Sequence, residues 1–416
     1  MGRRTTPAPR RQTEHTFDTC ASTRYAEPVA ALRIRPGQAA DAAQGALPKL
    51  RWRLAADETS GTLFSAEQLA VRHVAVGEYR SMEFLHVNAR HVINQVPASS
   101  KVPFRFTINA YRGCSHACVY CFARPTHAYL GLDPAEDFDR RIVVKVNAVE
   151  RLEAELRSPR WNGDHIAMGT NTDPYQKAEA KYHLTRGIVE VLGRHANPFS
   201  ILTKSTLVLR DLDVLLRAVK RADVHTAFSI GTLDKEVWRL TEPGTPPPEK
   251  RVEAVRRLND AGIPCSVLIA PVLPGLSDGE DQLTAVARAC AAAGATSISP
   301  IALHLRPGVR EHYLGWLERE RPDLSALYRD RFGDRAYQDE PEQRRIREVV
   351  DAAIAGVPAP APHVRDPSRT RASPFTTGHD AGTGGVSRRT DGAGHGGPGT
   401  SCARGDDTRG TQSRLF

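Results

Sequence analysis

The sequence predicts an α/β protein built on a full or partial TIM-like barrel, and three observations carry that expectation. Short apolar, β-branched runs alternate with longer amphipathic ones from about residue 105 to about 330. Such alternation means βα units and a parallel sheet, and six or more units favour a barrel over an open sheet. Helix punctuation falls where the pattern needs it. Pro246, Pro247 and Pro248 followed by Glu249 make a helix start, with proline near the first turn and an acid at the positive dipole end. Ala261-Gly262-Ile263-Pro264 makes the matching stop. Finally, both ends of the chain change composition, which bounds the barrel between them.

Residues 1–45 are rich in Arg, Thr, Ala and Pro without a sustained period and read as a disordered or poorly ordered leader. Residues 46–104 carry short apolar groups such as Phe84, Leu85 and Val87 and read as a lead-in segment packed on the core. The core, 105–355, has apolar runs at 142–146, 165–168, 199–203, 226–230, 265–270 and 297–303. Helix candidates lie at 148–157, 181–195, 211–221, 249–261 and 280–293, with closing helices at 309–320 and 341–355. Residues 356–416 hold almost no large apolar side chain, cannot bury a core, and read as a disordered tail. In a barrel, the active site is expected at the C-terminal ends of the strands.

Composition excludes several classes. No apolar run approaches the roughly 18–20 residues needed to cross a bilayer, and the arginines near the N-terminus have no apolar stretch behind them, so a secretory signal is not expected. The formal charge is +9, but residues 1–20 and 361–416 contribute +5 of it. The core is therefore only mildly basic, which permits nucleic-acid binding without arguing for it. Seven cysteines, three of them within eight residues, do not form a secreted disulfide framework. They point to a reducing, cytoplasmic compartment and a metal site.

Cys114, Cys118 and Cys121 form a C-x3-C-x2-C loop, with an aromatic, Tyr120, before the third cysteine. A cubane [4Fe–4S] cluster usually takes four thiolates. Three close cysteines with none nearby as a fourth leave one iron open. The amino and carboxylate groups of S-adenosylmethionine (SAM) can chelate that iron, and an electron from the cluster then cleaves the sulfonium to a 5′-deoxyadenosyl radical. Gly113 gives the backbone room to turn around the cluster. Zinc is the alternative, with His116 or His127 as fourth ligand. Zinc sites, however, usually pair a C-x2-C with a second pair or distant histidines, and no second pair is present. The ligand count and spacing favour the cluster.

The strings YRGCSHACVYCFAR at 111–124 and MGTNTDPYQ at 168–176 resemble the radical SAM superfamily. Within it they resemble the branch of spore photoproduct lyase and the DNA repair photolyases, and within that branch an actinobacterial group of radical SAM proteins. The resemblance spans roughly residues 80–350. It implies a partial (βα)6 barrel with SAM across the strand ends. Thr170, Asn171, Thr172 and Asp173 would face the SAM methionine moiety, and Lys204, beside Ser205, would pair with the SAM carboxylate. Ser229 would touch SAM, and Ala270 and Pro271 would lie near adenine and ribose. Tyr120 belongs to the same cofactor site. Simpler roles stand beside these: a helix start for Asp173-Pro174, a solvated strand end for Lys204, a core hydroxyl for Ser229.

One departure from the branch concerns the hydrogen donor. Spore photoproduct lyase carries a donor cysteine at a position that aligns near Thr170, and no cysteine lies close to it here. Cys265 and Cys290 read as core residues. The expected function is a radical SAM enzyme acting on a nucleic-acid lesion or modified nucleotide. The alternatives are modification of a protein or small molecule, and a zinc-binding interaction module. The implied partners are an electron donor of flavodoxin or ferredoxin type and DNA. The last five residues add the bacterial sliding clamp, because Gln412, Leu415 and Phe416 match the Gln-x-x-Leu-Phe pattern of its docking peptides.

Overall fold

The structure, a computed structural model, describes residues 69–74, 81–100 and 102–357. The expected leader at 1–45, most of the lead-in before residue 81 and the tail after Val357, including Gln412, Leu415 and Phe416, lie outside the described residues.

Among the described residues, eleven strands make two sheets. They are β1 (Leu69–Val74), β2 (Glu83–Val87), β3 (Ile93–Gln95), β4 (Phe106–Ile108), β5 (Tyr111–Arg112), β6 (Arg141–Lys145), β7 (Ile166–Met168), β8 (Phe199–Thr203), β9 (Val224–Ser229), β10 (Cys265–Val272) and β11 (Ile298–Ala302). The larger sheet runs β11-β10-β9-β8-β7-β4-β3. Its first six members pair in parallel, and β3 adds an antiparallel edge. This is the expected partial (βα)6 barrel. It is not closed: β11 and β3 stand at opposite ends of the strand order.

One strand differs from expectation. The run at 142–146 does not belong to the barrel. As β6 it pairs in parallel with β2 and antiparallel with β5, in a second sheet ordered β1-β2-β6-β5. The first barrel strand is instead β4, whose Phe106 and Ile108 pair with Ile166 and Met168 of β7. Three residues are too few to show an alternation, so β4 is silent in the sequence.

The helices Ala148–Leu156, Leu184–Arg194, Leu212–Val219, Pro248–Asp260 and Glu280–Ala292 sit near their expected places. Each turns a stripe inward; Val214, Leu215 and Ala218 do so in Leu212–Val219. Helix Lys235–Thr241 was not expected. Its start is fixed by Asp234, whose carboxylate accepts from the Glu236 and Val237 amides. The main core lies between the barrel sheet and these helices. A second apolar cluster gathers Tyr313, Trp316, Tyr328 and Phe332 of the C-terminal helices with Leu303, Leu305 and Cys118. The cysteine loop therefore rests on an aromatic floor built by helices Val309–Glu320 and Ser325–Phe332. No helix among the described residues is long and apolar enough to cross a membrane.

Candidate functional site

The cysteine loop leaves β5 and runs into a 3-10 helix at Arg124–Leu130. Gly113 has φ of 78°, and a Cβ there would sit 2.8 Å from the Phe138 carbonyl oxygen, so only glycine fits. Cys114 donates its amide to that same oxygen at 2.9 Å, while Ala117 and Cys121 close turns onto the carbonyls of Cys114 and Cys118. Cys114 and Cys118 are buried and Cys121 is half-buried; none is in a disulfide. Burial pushes all three thiols above their ordinary range. A thiol so placed stays protonated unless positive charge arrives beside it, as a bound metal provides.

The loop is held from three directions. Arg124, 1% exposed, donates to the Cys118 carbonyl from Nε at 3.2 Å and Nη2 at 3.1 Å, and forms a two-pronged pair with Asp139 at 3.0 Å. From the β7 side, Thr172 Oγ1 donates to the Gly113 carbonyl at 2.6 Å. Gln176 donates to the same oxygen at 2.9 Å and accepts from the Ser115 amide at 3.0 Å. From the far side, Thr241 accepts from the Val119 amide and Gly244 donates to the His116 carbonyl, both at 3.0 Å. A Cβ at Gly244 would overlap the Ser115 carbonyl oxygen.

Beneath the loop lies a buried polar cluster at the C-terminal ends of β8, β9 and β10. Lys204 Nζ donates to Ser229 Oγ at 2.6 Å, Glu242 Oε1 at 3.0 Å and the Ala270 carbonyl at 3.3 Å, and it lies 5.5 Å from the Tyr120 ring centre. Ser229 Oγ donates to the Ala270 carbonyl at 2.7 Å. Glu242 also accepts from the Tyr120 hydroxyl and pairs with Arg251, which is 1% exposed. Burial would raise the Glu242 carboxyl, but Arg251 and Lys204 outweigh it and hold the group well below the usual carboxylate range. The Tyr120 phenol, buried against that carboxylate, is pushed up and stays neutral.

The other expected positions lie around this cluster. Asp173 accepts from Thr203 Oγ1 at 2.7 Å, the Lys204 amide at 2.7 Å and the Tyr175 amide at 2.8 Å, and its Oδ2 lies 3.4 Å from His116 Nδ1. It thereby ties the β7 loop to the end of β8 and to the cysteine loop. Thr170 and the Asn171 amide bond to Asn109. Ser205 caps the short helix Thr206–Asp211 by accepting from the Leu207 amide at 3.2 Å. Pro271 stands beside Gly231, where a Cβ would come within 3.0 Å of the Pro271 carbonyl oxygen.

Each histidine weighed as a zinc ligand has one ring nitrogen engaged, and the buried Nδ1 of His127 has no hydrogen-bond partner. His116 faces Asp173, and His127 Nε2 meets the Arg141 carbonyl at 3.1 Å with its ring against Phe138. Among the described residues no three His, Cys, Asp or Glu side chains converge as ligands to one metal ion. A cubane asks for less convergence, because each thiolate bonds a different iron.

Sequence reasoning missed Glu242, Arg251, Gln176 and Arg124 as site residues. A signal existed for Arg251: it falls on the apolar face of its helix with Ala254, Val255 and Leu258. Glu242 lies in a Pro-Gly loop, where an acid is ordinary.

The model of the radical SAM superfamily matches residues 108–285. An uncharacterized protein of Mycobacterium tuberculosis is 41% identical over 303 residues, covering 73% of this chain and 89% of that protein. The spore photoproduct lyase of Bacillus subtilis is 26% identical over 184 residues, covering 42% of this chain and 47% of the lyase. A solved spore photoproduct lyase mutant with bound AdoMet and dinucleoside spore photoproduct superposes with a TM-score of 0.51 at 19% identity, covering 69% of this chain and 85% of that one.

Proposed function

The chain belongs to the radical SAM superfamily and is an enzyme that works with a [4Fe–4S] cluster and S-adenosylmethionine; from this premise we propose that Cys114, Cys118 and Cys121 hold the cluster and that the substrate is a nucleic-acid lesion or modified nucleotide. The observation that carries the ligand assignment is the set of three free cysteines, two buried and one half-buried, on one loop pinned over the ends of the parallel strands. When bound, the cluster supplies the electron for reductive cleavage of the SAM sulfonium, which calls for an outside donor of flavodoxin or ferredoxin type. The protein's own part is to hold and shield. Arg124, Thr172, Gln176 and the segment 241–244 fix the loop, and the buried cluster of Lys204, Ser229, Glu242 and Tyr120 presents fixed charge beside it.

The nucleic-acid substrate is supported by the sequence likeness to spore photoproduct lyase. At the position near Thr170, where the resemblance implies a donor cysteine, this chain has none. Cys265 and Cys290 are wholly buried in the main core, and Cys265 opens β10 at the end away from the cysteine loop. The test is anaerobic reconstitution, reduction with dithionite and assay of 5′-deoxyadenosine with and without ultraviolet-irradiated DNA. Irradiated DNA is expected to raise the yield; equal yields with irradiated, intact and no DNA would remove nucleic-acid damage as the substrate.

Lys204 is proposed to reach the SAM carboxylate, sharing its ammonium with Ser229 and Glu242. Lys204→Ala is then expected to weaken SAM binding about ten- to a hundredfold, the equivalent of a lost charge-assisted bond of roughly 1.5–3 kcal/mol, with the cluster absorbance retained. An unchanged SAM dissociation constant would take Lys204 out of the site.

A further inference from the structure

A cleft of about 670 Å³ opens at the C-terminal ends of the barrel strands, between the connections that follow β7, β8 and β9. Both of its walls are bonded to the cysteine loop. On one side the Lys177 amide donates to Ser115 Oγ at 3.1 Å. On the other the Gly244 amide donates to the His116 carbonyl at 3.0 Å. An occupant of the cleft is therefore held beside the turn between Cys114 and Cys118.

Among the described residues the cleft is lined by Lys177, Arg210 and Thr206 but by no aspartate or glutamate. Lys177 is exposed, and among the described residues its ammonium has no hydrogen-bond or ion-pair partner. The same holds for the Thr206 hydroxyl. Arg210 spends four of its five N–H donors on Asp211 and Glu179, which leaves one on Nη1. Those bonds hold the guanidinium in place while 26% of the side chain stays exposed. Both carboxylates are fully buried, and neither lines the cleft. Walls that present positive charge and N–H donors with no carboxylate among them select an anion.

We propose that this cleft seats one backbone phosphate of a nucleic-acid strand together with its sugar, with the Lys177 ammonium and the Arg210 guanidinium on the phosphate oxygens. The inference rests on the nucleic-acid reading above and gives the strand a place on the molecule. Size argues for more than a phosphate ion. The cleft falls within the roughly 300–1,000 Å³ of sites for drug-sized ligands, and Leu207, Pro243 and Pro246 supply apolar wall for a sugar. Contacts to phosphate fix the position of a strand without reading its sequence. Because both walls are tied to residues 115 and 116, the seated phosphate keeps a fixed distance from the loop that carries Cys114, Cys118 and Cys121.

The test uses the full chain carrying its cluster, with fluorescein-labelled oligothymidylate and oligoadenylate as probes and polarisation read across a salt series. Lys177→Gln is expected to weaken both probes alike, by up to about fivefold. It should also reduce the slope of log affinity against log salt by about 0.7, the contribution of one phosphate contact on a single strand. Lys177→Arg keeps the charge and is expected to keep the slope. Lys181→Gln removes an exposed lysine that does not line the cleft, and is expected to leave the slope at its wild-type value. A wild-type slope in Lys177→Gln, or an equal loss in Lys181→Gln, overturns the cleft site but leaves a nucleic-acid substrate standing. If thymidine monophosphate displaces the labelled strand as well as unlabelled oligothymidylate does at equal phosphate concentration, a strand is overturned as the occupant in favour of a free nucleotide. No binding of any probe by the wild type overturns both the site and the nucleic-acid reading.

Discussion

Replacing Cys114, Cys118 or Cys121 with alanine is expected to abolish iron binding beyond background and, with it, all 5′-deoxyadenosine formation. Wild-type protein reconstituted under anaerobic conditions should hold close to four irons per chain and absorb broadly near 400 nm, roughly as its cluster type does. The effect is all-or-none because the loop supplies no spare thiolate. Of the described cysteines outside the loop, Cys265 and Cys290 are 0% exposed among core side chains. Burial pushes their thiols up to about 12, so neither is a thiolate in waiting. Cys265→Ala and Cys290→Ala therefore serve as controls and should keep the full iron content and absorbance. Stoichiometric zinc in anaerobically purified wild type, with no iron cluster obtainable by reconstitution, would overturn the assignment.

Glu242→Ala is expected to destabilise the fold. The carboxylate is the shared partner of Arg251 and Lys204, whose side chains are 1% and 14% exposed. Removing one member of a buried charge pair costs about 3–5 kcal/mol, because the remaining charge is left uncompensated. For a domain of this size that is a fall in melting temperature on the order of 10 °C. Iron content should fall as well, since Tyr120, within the cysteine loop, donates its hydroxyl to the same carboxylate. Glu242→Gln keeps an acceptor for Tyr120 while removing the charge, and separates the two effects: cluster content should recover further than stability. The sign with pH follows from the depressed carboxyl. A group whose pKa is lower in the folded protein than in the unfolded chain stabilises above the unfolded value, about 4.3, and loses that contribution as pH falls through the folded one. This pair should thus be intact throughout the neutral range and fail only in strong acid. A Glu242→Ala protein melting within a degree of wild type would show that the cluster beneath the loop carries no net stability.

The limits of legibility follow the distance between partners in the chain. The C-x3-C-x2-C loop was readable because its spacing lies within eight residues, and the helices were readable because their period repeats every three or four. The run at 142–146 had a strand's composition, yet nothing local says which sheet a strand joins. The chain passes through the cysteine loop before β6, and β2 then captures it. Lys204 was legible as a strand-end cation, while its acceptors lie on Ser229, Glu242 and Ala270, 25 to 66 residues further on. Tyr120 and Glu242 stand 122 residues apart, and the bridge of His304 to Tyr337 closes over more than 30 residues. The sequence by itself determined the chemistry of the loop and the barrel's alternating period, because thiolate spacing and side-chain periodicity act over one or two turns of chain. Only the tertiary structure decided which buried charges meet and which strand opens the barrel, because those depend on groups that folding alone brings within a few ångströms.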